Sequence, residues 1–287
     1  MKPHIFHLGQ SPDSAPSLLF AHANGYPPGS YRALLEPLQR DYSVWVIEHR
    51  PLWDGREPPE RLSWSVFVND LRAAIEEIAA PSLHLMGHSM GATCATLLAA
   101  QHPGLVASLL LLDPVFLPDR LILASRFAGR KSMEKFPLVR GALRRPEYFA
   151  DQQQAFRFYR NKRAFKNFSD EALQDFVDAS NEPMPDGRVR LRYSGQWEAA
   201  VYMSGPRIKP ALKSLNLPVL GLRGENTDTL SESMWARWAK WQPEAVLREV
   251  PGGHLFPMEH PSEALVPIQG FLSEQSSAES LADRIAV

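Results

Sequence analysis

LMGHSMGA, residues 85–92, sets a serine between two glycines, with His88 before it and Met90 after it. Two readings compete. The backbone is bent so that Ser89 can attack a substrate, or this is an ordinary glycine-flanked turn. The flanks favour the first. LHLMGH (83–88) is an apolar run of strand character, and MGATCATLLAAQHP (90–103) reads as a helix. In a strand–turn–helix frame, G-x-S-x-G puts the serine in a strained turn, where a Cβ two residues to either side would clash. Ser89 would then stand at the N-terminal end of a helix, whose dipole favours a developing oxyanion.

The alternation continues outward. SLLFAH (17–22), YSVWVIEHR (42–50) and SLLLLDP (108–114) read as strands. SYRALLEPLQR (30–40) and SVFVNDLRAAIEEIAA (65–80) have helical spacing. Such a pattern predicts a parallel sheet covered on both faces. From Leu117 to Arg207 no buried strand stands out. Residues 148–165 and 170–180 look helical, and DGRVRLRYS (186–194) is a loop or short hairpin. Strand and helix resume with PVLGLRGE (218–225), SESMWARWAKW (231–241) and AVLREVPGGH (245–254). The expected organisation is a discontinuous α/β core over 1–116 and 208–272, a helical cap over 117–207, and a weakly ordered polar tail over 273–287.

Composition bounds the rest. The chain has 287 residues, 44% of them hydrophobic, enough for a large core. A net charge of −1 gives no hint of nucleic acid. The single cysteine, Cys94, allows no internal disulfide and suits a reducing compartment. MKPHIFHLGQSPDSAP lacks the features of a signal peptide, and no apolar run approaches the ~18 residues of a membrane span. A cytoplasmic protein is expected. The cap is asymmetric. Between Arg120 and Phe168 thirteen basic residues face three acidic ones, a net +10. That points to an anionic head group or membrane surface as partner, or to arginine stems covering apolar surface.

A serine hydroxyl needs a base, and the base needs an orienting acid. His254 follows a Gly-Gly turn after AVLREV, while His260 precedes a proline and marks a helix entry. Asp228 lies in the loop after PVLGLRG, with Glu225 beside it, and Asp113 also ends a strand. The other histidines show no paired metal-ligand spacing, so neither metal nor other cofactor is expected.

HANG (22–25), GHSMGA (87–92), LLLLDP (109–114), LRGENTD (222–228) and GGHLFPMEHP (252–261) together resemble the α/β-hydrolase superfamily over nearly the whole chain. The resemblance implies an eight-stranded, mostly parallel core and a triad in the order Ser, acid, His. Ser89 is the implied nucleophile, His254 the base and Asp228 the acid, with Asp113 as the rival position. The oxyanion donors would be the backbone N–H groups of Met90 and Asn24. Alanine replaces the family's usual glycine at position 23, which leaves the exact donor of this loop open. The Asn24 amide could also polarise substrate. His22, His88, Trp197 and Tyr202 are the expected pocket residues, although His22 and His88 also suit structural roles. The other cap aromatics read as cap core.

Relatives with an aspartate nucleophile make alkyl esters, whereas a serine implies acyl transfer to water. The expected activity is therefore hydrolysis of a carboxylic ester or thioester with an apolar acyl chain under the cap. The alternatives are a carbon–carbon bond hydrolase, a cofactor-free perhydrolase, and a non-catalytic binding protein of the same fold.

Overall fold

The computed structural model describes residues 2–9, 15–53, 57–119, 122–123 and 130–285. Ten strands are assigned among them: β1 (His4–Leu8), β2 (Ser17–Ala21), β3 (Ser43–Glu48), β4 (Leu83–His88), β5 (Ser108–Leu112), β6 (Tyr148–Phe149), β7 (Asn181–Pro183), β8 (Val189–Leu191), β9 (Val219–Gly224) and β10 (Val246–Val250). Seven form the main sheet in the order β1-β3-β2-β4-β5-β9-β10. Every pairing in it is parallel except that of β1 with β3. The described sheet thus has one strand fewer than the resemblance implies. The edge strand β1, HIFHL, is largely exposed and carries His4 and His7, so it lacks the apolar run that marks the others.

The central strands β2, β4 and β5 are buried along their whole length because both faces are covered, and most of their residues are apolar. Leu18 and Phe20 of β2, Met86 of β4, and Leu110 and Leu112 of β5 point into one core. Leu19 and Ala21, Leu83 and Leu85, and Leu109 and Leu111 point into the other. The second core is closed by α1 (Ser65–Ile78), through Phe67, Leu71 and Ala74, and by α2 (Met90–Gln101), through Cys94, Ala95 and Leu98. Cys94 is fully buried, and burial pushes its thiol well up.

Residues 30–40 do not form one helix. A 3₁₀ turn, one α turn and a second 3₁₀ turn succeed each other, with Pro37 opening the last. Between β5 and β9 the chain leaves the sheet. It builds α3 (Pro137–Leu143), α4 (Gln152–Arg160), α5 (Asp170–Ser180) and α6 (Gly195–Tyr202), with β6, β8 and β7 as a small antiparallel sheet. VRL of residues 186–194 is the central strand of that sheet. After α7 (Lys209–Ser214), β9, α8 (Glu232–Trp241) and β10, the helix α9 runs from Pro261 to Ile285. The stretch read as a weakly ordered tail therefore continues this helix. Among the described residues, no helix is long and apolar enough to cross a membrane.

Phe20 is fully buried, whereas Phe6 on the edge strand is 50% exposed. Phe20→Ala is expected to cost about 3–5 kcal/mol and Phe6→Ala less than ~0.5 kcal/mol. The midpoints of urea unfolding compare the two.

Candidate active site

The turn between β4 and α2 is the bent one. Ser89 has φ 55° and ψ −112°, a conformation that L-residues rarely adopt. Both glycines are required by close approach. A Cβ on Gly87 would lie 2.5 Å from the Ala92 nitrogen, and one on Gly91 would collide with the Ala21 carbonyl. The Ser89 N–H donates to the Leu112 carbonyl at 2.9 Å, tying the turn to the end of β5.

The Ser89 hydroxyl meets His254 Nε2 at 2.9 Å. His254 Nδ1 meets a carboxylate at 2.6 Å, and that carboxylate belongs to Asp113. With Nδ1–H donating to Asp113, Nε2 is bare and accepts the serine proton. Asp113 is fully buried. It also accepts from the Gly224 N–H at 3.1 Å and from Thr227 Oγ1 at 2.6 Å, so its charge is held by three donors. Asp113 directly follows β5 with φ 39°.

Asp228 therefore does not take the place the resemblance implied for it. It is exposed, and its carboxylate accepts from Thr229 Oγ1 at 3.4 Å. Its loop reaches the site through Gly224 and Thr227, which serve Asp113. Glu225 is exposed as well. His260 stands 4.0 Å from Glu263 on α9, at the helix entry.

The HANG loop follows β2. The Asn24 side chain is committed to the cap: Oδ1 accepts from the Tyr193 hydroxyl at 2.7 Å, and Nδ2 donates to the Glu198 carbonyl at 3.1 Å. Both ends of its amide are thus engaged, with one N–H of Nδ2 left over. The Ala23 N–H donates to the Tyr31 hydroxyl at 3.2 Å. Met90 is the first residue of α2, so its N–H precedes the helical ladder.

Of the four expected pocket residues, two hold backbone. His22 donates from Nδ1 to the Ala23 carbonyl at 2.7 Å and accepts the His49 N–H on Nε2 at 3.1 Å. His88 contacts the Tyr31 hydroxyl at 2.7 Å and the His254 carbonyl at 2.8 Å. Trp197 is buried in the core beside Phe67, with ring centroids 6.5 Å apart. Tyr202 is half buried and donates to Glu198 at 3.3 Å. Sequence reading passed over Tyr31, Arg145, Tyr193 and Glu198. Arg145 pairs with Glu198 at 2.5 Å, and both lie against Gly25. Of these, only Tyr31 had a local signal, its place in PPGSY just after HANG.

The basic run of the cap divides. Arg145 is paired as above and Arg160 with Asp170, while Lys162 covers the Phe158 ring. Lys131, Lys135, Arg140 and Arg144 are exposed beside exposed Phe136, Leu138 and Leu143. Arg120 and Arg126 lie outside the described residues, as does the Arg130 side chain. Among the described residues no group of three or more His, Cys, Asp or Glu could hold a metal ion.

Burial lowers His22 from 6.5 to about 4 and pushes His49 and His88 well below their ordinary value. A histidine so lowered lets the unfolded chain take up the proton first. Its contribution is complete above pH 6.5 and is lost as the pH falls towards 4, worth about 3 kcal/mol for His22. Stability in guanidinium is expected to fall steeply from pH 7 to 4.5, with more than one proton bound on unfolding. His22→Gln should flatten part of that slope.

A family model described as alpha/beta hydrolase fold matches residues 16–261. The chain is 23% identical over 264 residues to a 2-(acetamidomethylene)succinate hydrolase of Mesorhizobium japonicum, covering 90% of this chain and 88% of that one. The crystal structure of an E-2-(acetamidomethylene)succinate hydrolase is similar with a TM-score of 0.78 at 22% identity, covering 94% of this chain and 95% of that one. The peroxisomal alpha-beta-hydrolase Lpx1 of Saccharomyces cerevisiae gives 0.77 at 20% identity, with 96% and 82% covered. An enol-lactonase from Burkholderia xenovorans LB400 gives 0.67 at 14% identity, with 94% and 96% covered. At these identities the structural likeness speaks for the fold alone. The sheet, the elbow and a family match spanning most of the sequence agree: this chain belongs to the alpha/beta hydrolase fold family.

Proposed function

We propose that the protein is a serine hydrolase that cleaves a carboxylic ester or thioester through an acyl-enzyme. One observation carries the reading: the unbroken chain of contacts from Ser89 Oγ through His254 to buried Asp113. Ser89 attacks the carbonyl carbon while His254 Nε2 takes its proton. The imidazolium so formed is stabilised by Asp113, and it returns the proton to the leaving group. Water then repeats the sequence on the acyl-enzyme and releases the acid. The Met90 and Asn24 N–H groups hold the oxyanion. The enol-lactonase among the similar structures acts, by its name, on a cyclic ester, which agrees with this chemistry. The same three residues would also serve the carbon–carbon bond hydrolase and perhydrolase readings.

A fluorophosphonate probe tests the nucleophile. Wild type should label and Ser89→Ala should not; an unlabelled wild type would leave the binding-only reading. Asp113→Asn should slow labelling by about 10⁴-fold, whereas Asp228→Asn should stay within about twofold of wild type, since Asp228 is exposed and away from His254. Equal losses in the two would overturn the assignment of Asp113. Hydrolysis of p-nitrophenyl esters of rising chain length then bounds the acyl site, and inactivity on all of them beside cleavage of a β-diketone would favour carbon–carbon chemistry.

The exposed cations around Phe136 and Leu138 support an anionic surface as the partner of the cap. Co-sedimentation should show binding to vesicles containing phosphatidylglycerol, weaker binding to neutral ones, and loss of the difference in Lys135→Glu/Arg140→Glu. Equal binding to both vesicle types would sink this part of the reading.

A further inference from the structure

Three hydrogen bonds join the HANG loop to the loop that carries His254. The Ala23 N–H donates to the Tyr31 hydroxyl at 3.2 Å, Tyr31 Oη lies 2.7 Å from His88 Nδ1, and His88 Nε2 lies 2.8 Å from the His254 carbonyl. Ala23, Tyr31 and His88 are all buried. The direction of every proton follows. A carbonyl only accepts, so His88 Nε2 carries the hydrogen. Burial keeps His88 neutral, so Nδ1 is bare and accepts from the Tyr31 hydroxyl. The Tyr31 oxygen is then left to accept from Ala23.

We propose that Tyr31 and His88 are positioning residues, a neutral relay that sets the oxyanion loop and the base loop to one spacing. The proposal rests on the serine-hydrolase reading. It gives His88, the second residue of G-H-S-M-G, a task distinct from pocket lining. His88 grips the backbone of the base while the following residue, Ser89, meets the base's ring. Tyr31 is itself fixed from outside the site. Its ring packs on Phe20 with centroids 4.7 Å apart, and the turn that carries it lies against α5, where a Cβ on Gly29 would come within 2.9 Å of the Ala179 Cβ. The relay therefore ties the two loops to β2 through Phe20 and to α5 through the turn at Gly29. Without it, the N–H donor at the oxyanion and the base at Ser89 would each keep their chemistry but lose their common register, and a barrier that depends on both would rise.

Tyr31→Phe removes one hydroxyl and keeps the ring. With p-nitrophenyl acetate it is expected to lower kcat by ~10–100-fold with KM within about twofold, and to slow fluorophosphonate labelling in parallel. His88→Asn should do the same. The double variant should be no worse than the poorer single one within about twofold, because the two act as one unit. Full kcat in Tyr31→Phe, a loss confined to KM, or losses that multiply in the double variant would overturn the relay. Wild type that labels while Tyr31→Phe labels equally fast overturns the relay alone; wild type that never labels overturns the serine-hydrolase reading and the relay with it. Nitrogen-15 NMR of the wild-type histidines gives a check that needs no variant. His88 should be the Nε2–H tautomer from pH 5 to 8, and a proton on Nδ1 would overturn the relay.

Discussion

The site depends on how closely the first turn of α2 is driven against the end of β2. Gly91 has the Ala21 carbonyl where a Cβ would be, and Gly87 has the Ala92 nitrogen. That contact goes with the positive φ of Ser89 and brings the first turn of α2 against His22, where HANG starts. A larger residue at either glycine would separate helix and strand, and nucleophile and oxyanion loop would part together. The strain at one residue is thus balanced by packing across two elements.

From there the spacing is set by the sheet. Neighbouring strands lie about 4.8 Å apart, and the backbone ties them at their C-terminal ends. Ser89 bonds to Leu112 beside it, Asp113 to Leu222, Glu225 to Val250 and Asn226 to Gly252. Each bond joins a strand end to the next strand in the order β4, β5, β9, β10. His254 comes off β10 and must reach back to Ser89 on β4, so its ring passes over the end of β5. Asp113 is the residue that stands there.

This explains which parts of the site were legible. The elbow turn, the parallel sheet and the stretch that leaves it between β5 and β9 each had a local signature: a glycine pair, apolar strands, a helical stripe. The choice between Asp113 and Asp228 had none. Both follow an apolar strand that lies between β4 and β10, and the deciding fact is that β5, not β9, is the neighbour of β4. That depends on strand order, which a periodicity of two does not encode. The same limit applies to the pocket. His22 and His88 stand in the HANG and elbow turns, but the Ala23 and His254 carbonyls, the His49 N–H and the Tyr31 hydroxyl have taken their ring nitrogens, and no local pattern announces those partners; Trp197 packs into the core beside Phe67. The strand VRL in the cap was hidden for another reason: at three residues it is too short to show alternation.

Neutral buried groups do most of the holding. Burial keeps His22 and His88 uncharged and the Tyr31 hydroxyl protonated, so each offers one donor and one acceptor of fixed direction. A charged residue in these places would need a counter-charge beside the oxyanion site and would alter the field there. The cap makes the same choice with Asn24. Its side chain spends both ends on Tyr193 and Glu198, and the ionic pair Arg145–Glu198 stands one residue further on, against Gly25. The HANG loop is consequently held from the core by His22 and Tyr31 and from the cap by Tyr193 and Glu198. The backbone N–H of Asn24 directly follows that of Ala23, which Tyr31 holds. A backbone N–H in a loop so held would need no reorganisation if charge developed on a substrate oxygen beside it, the condition under which a donor lowers a barrier most.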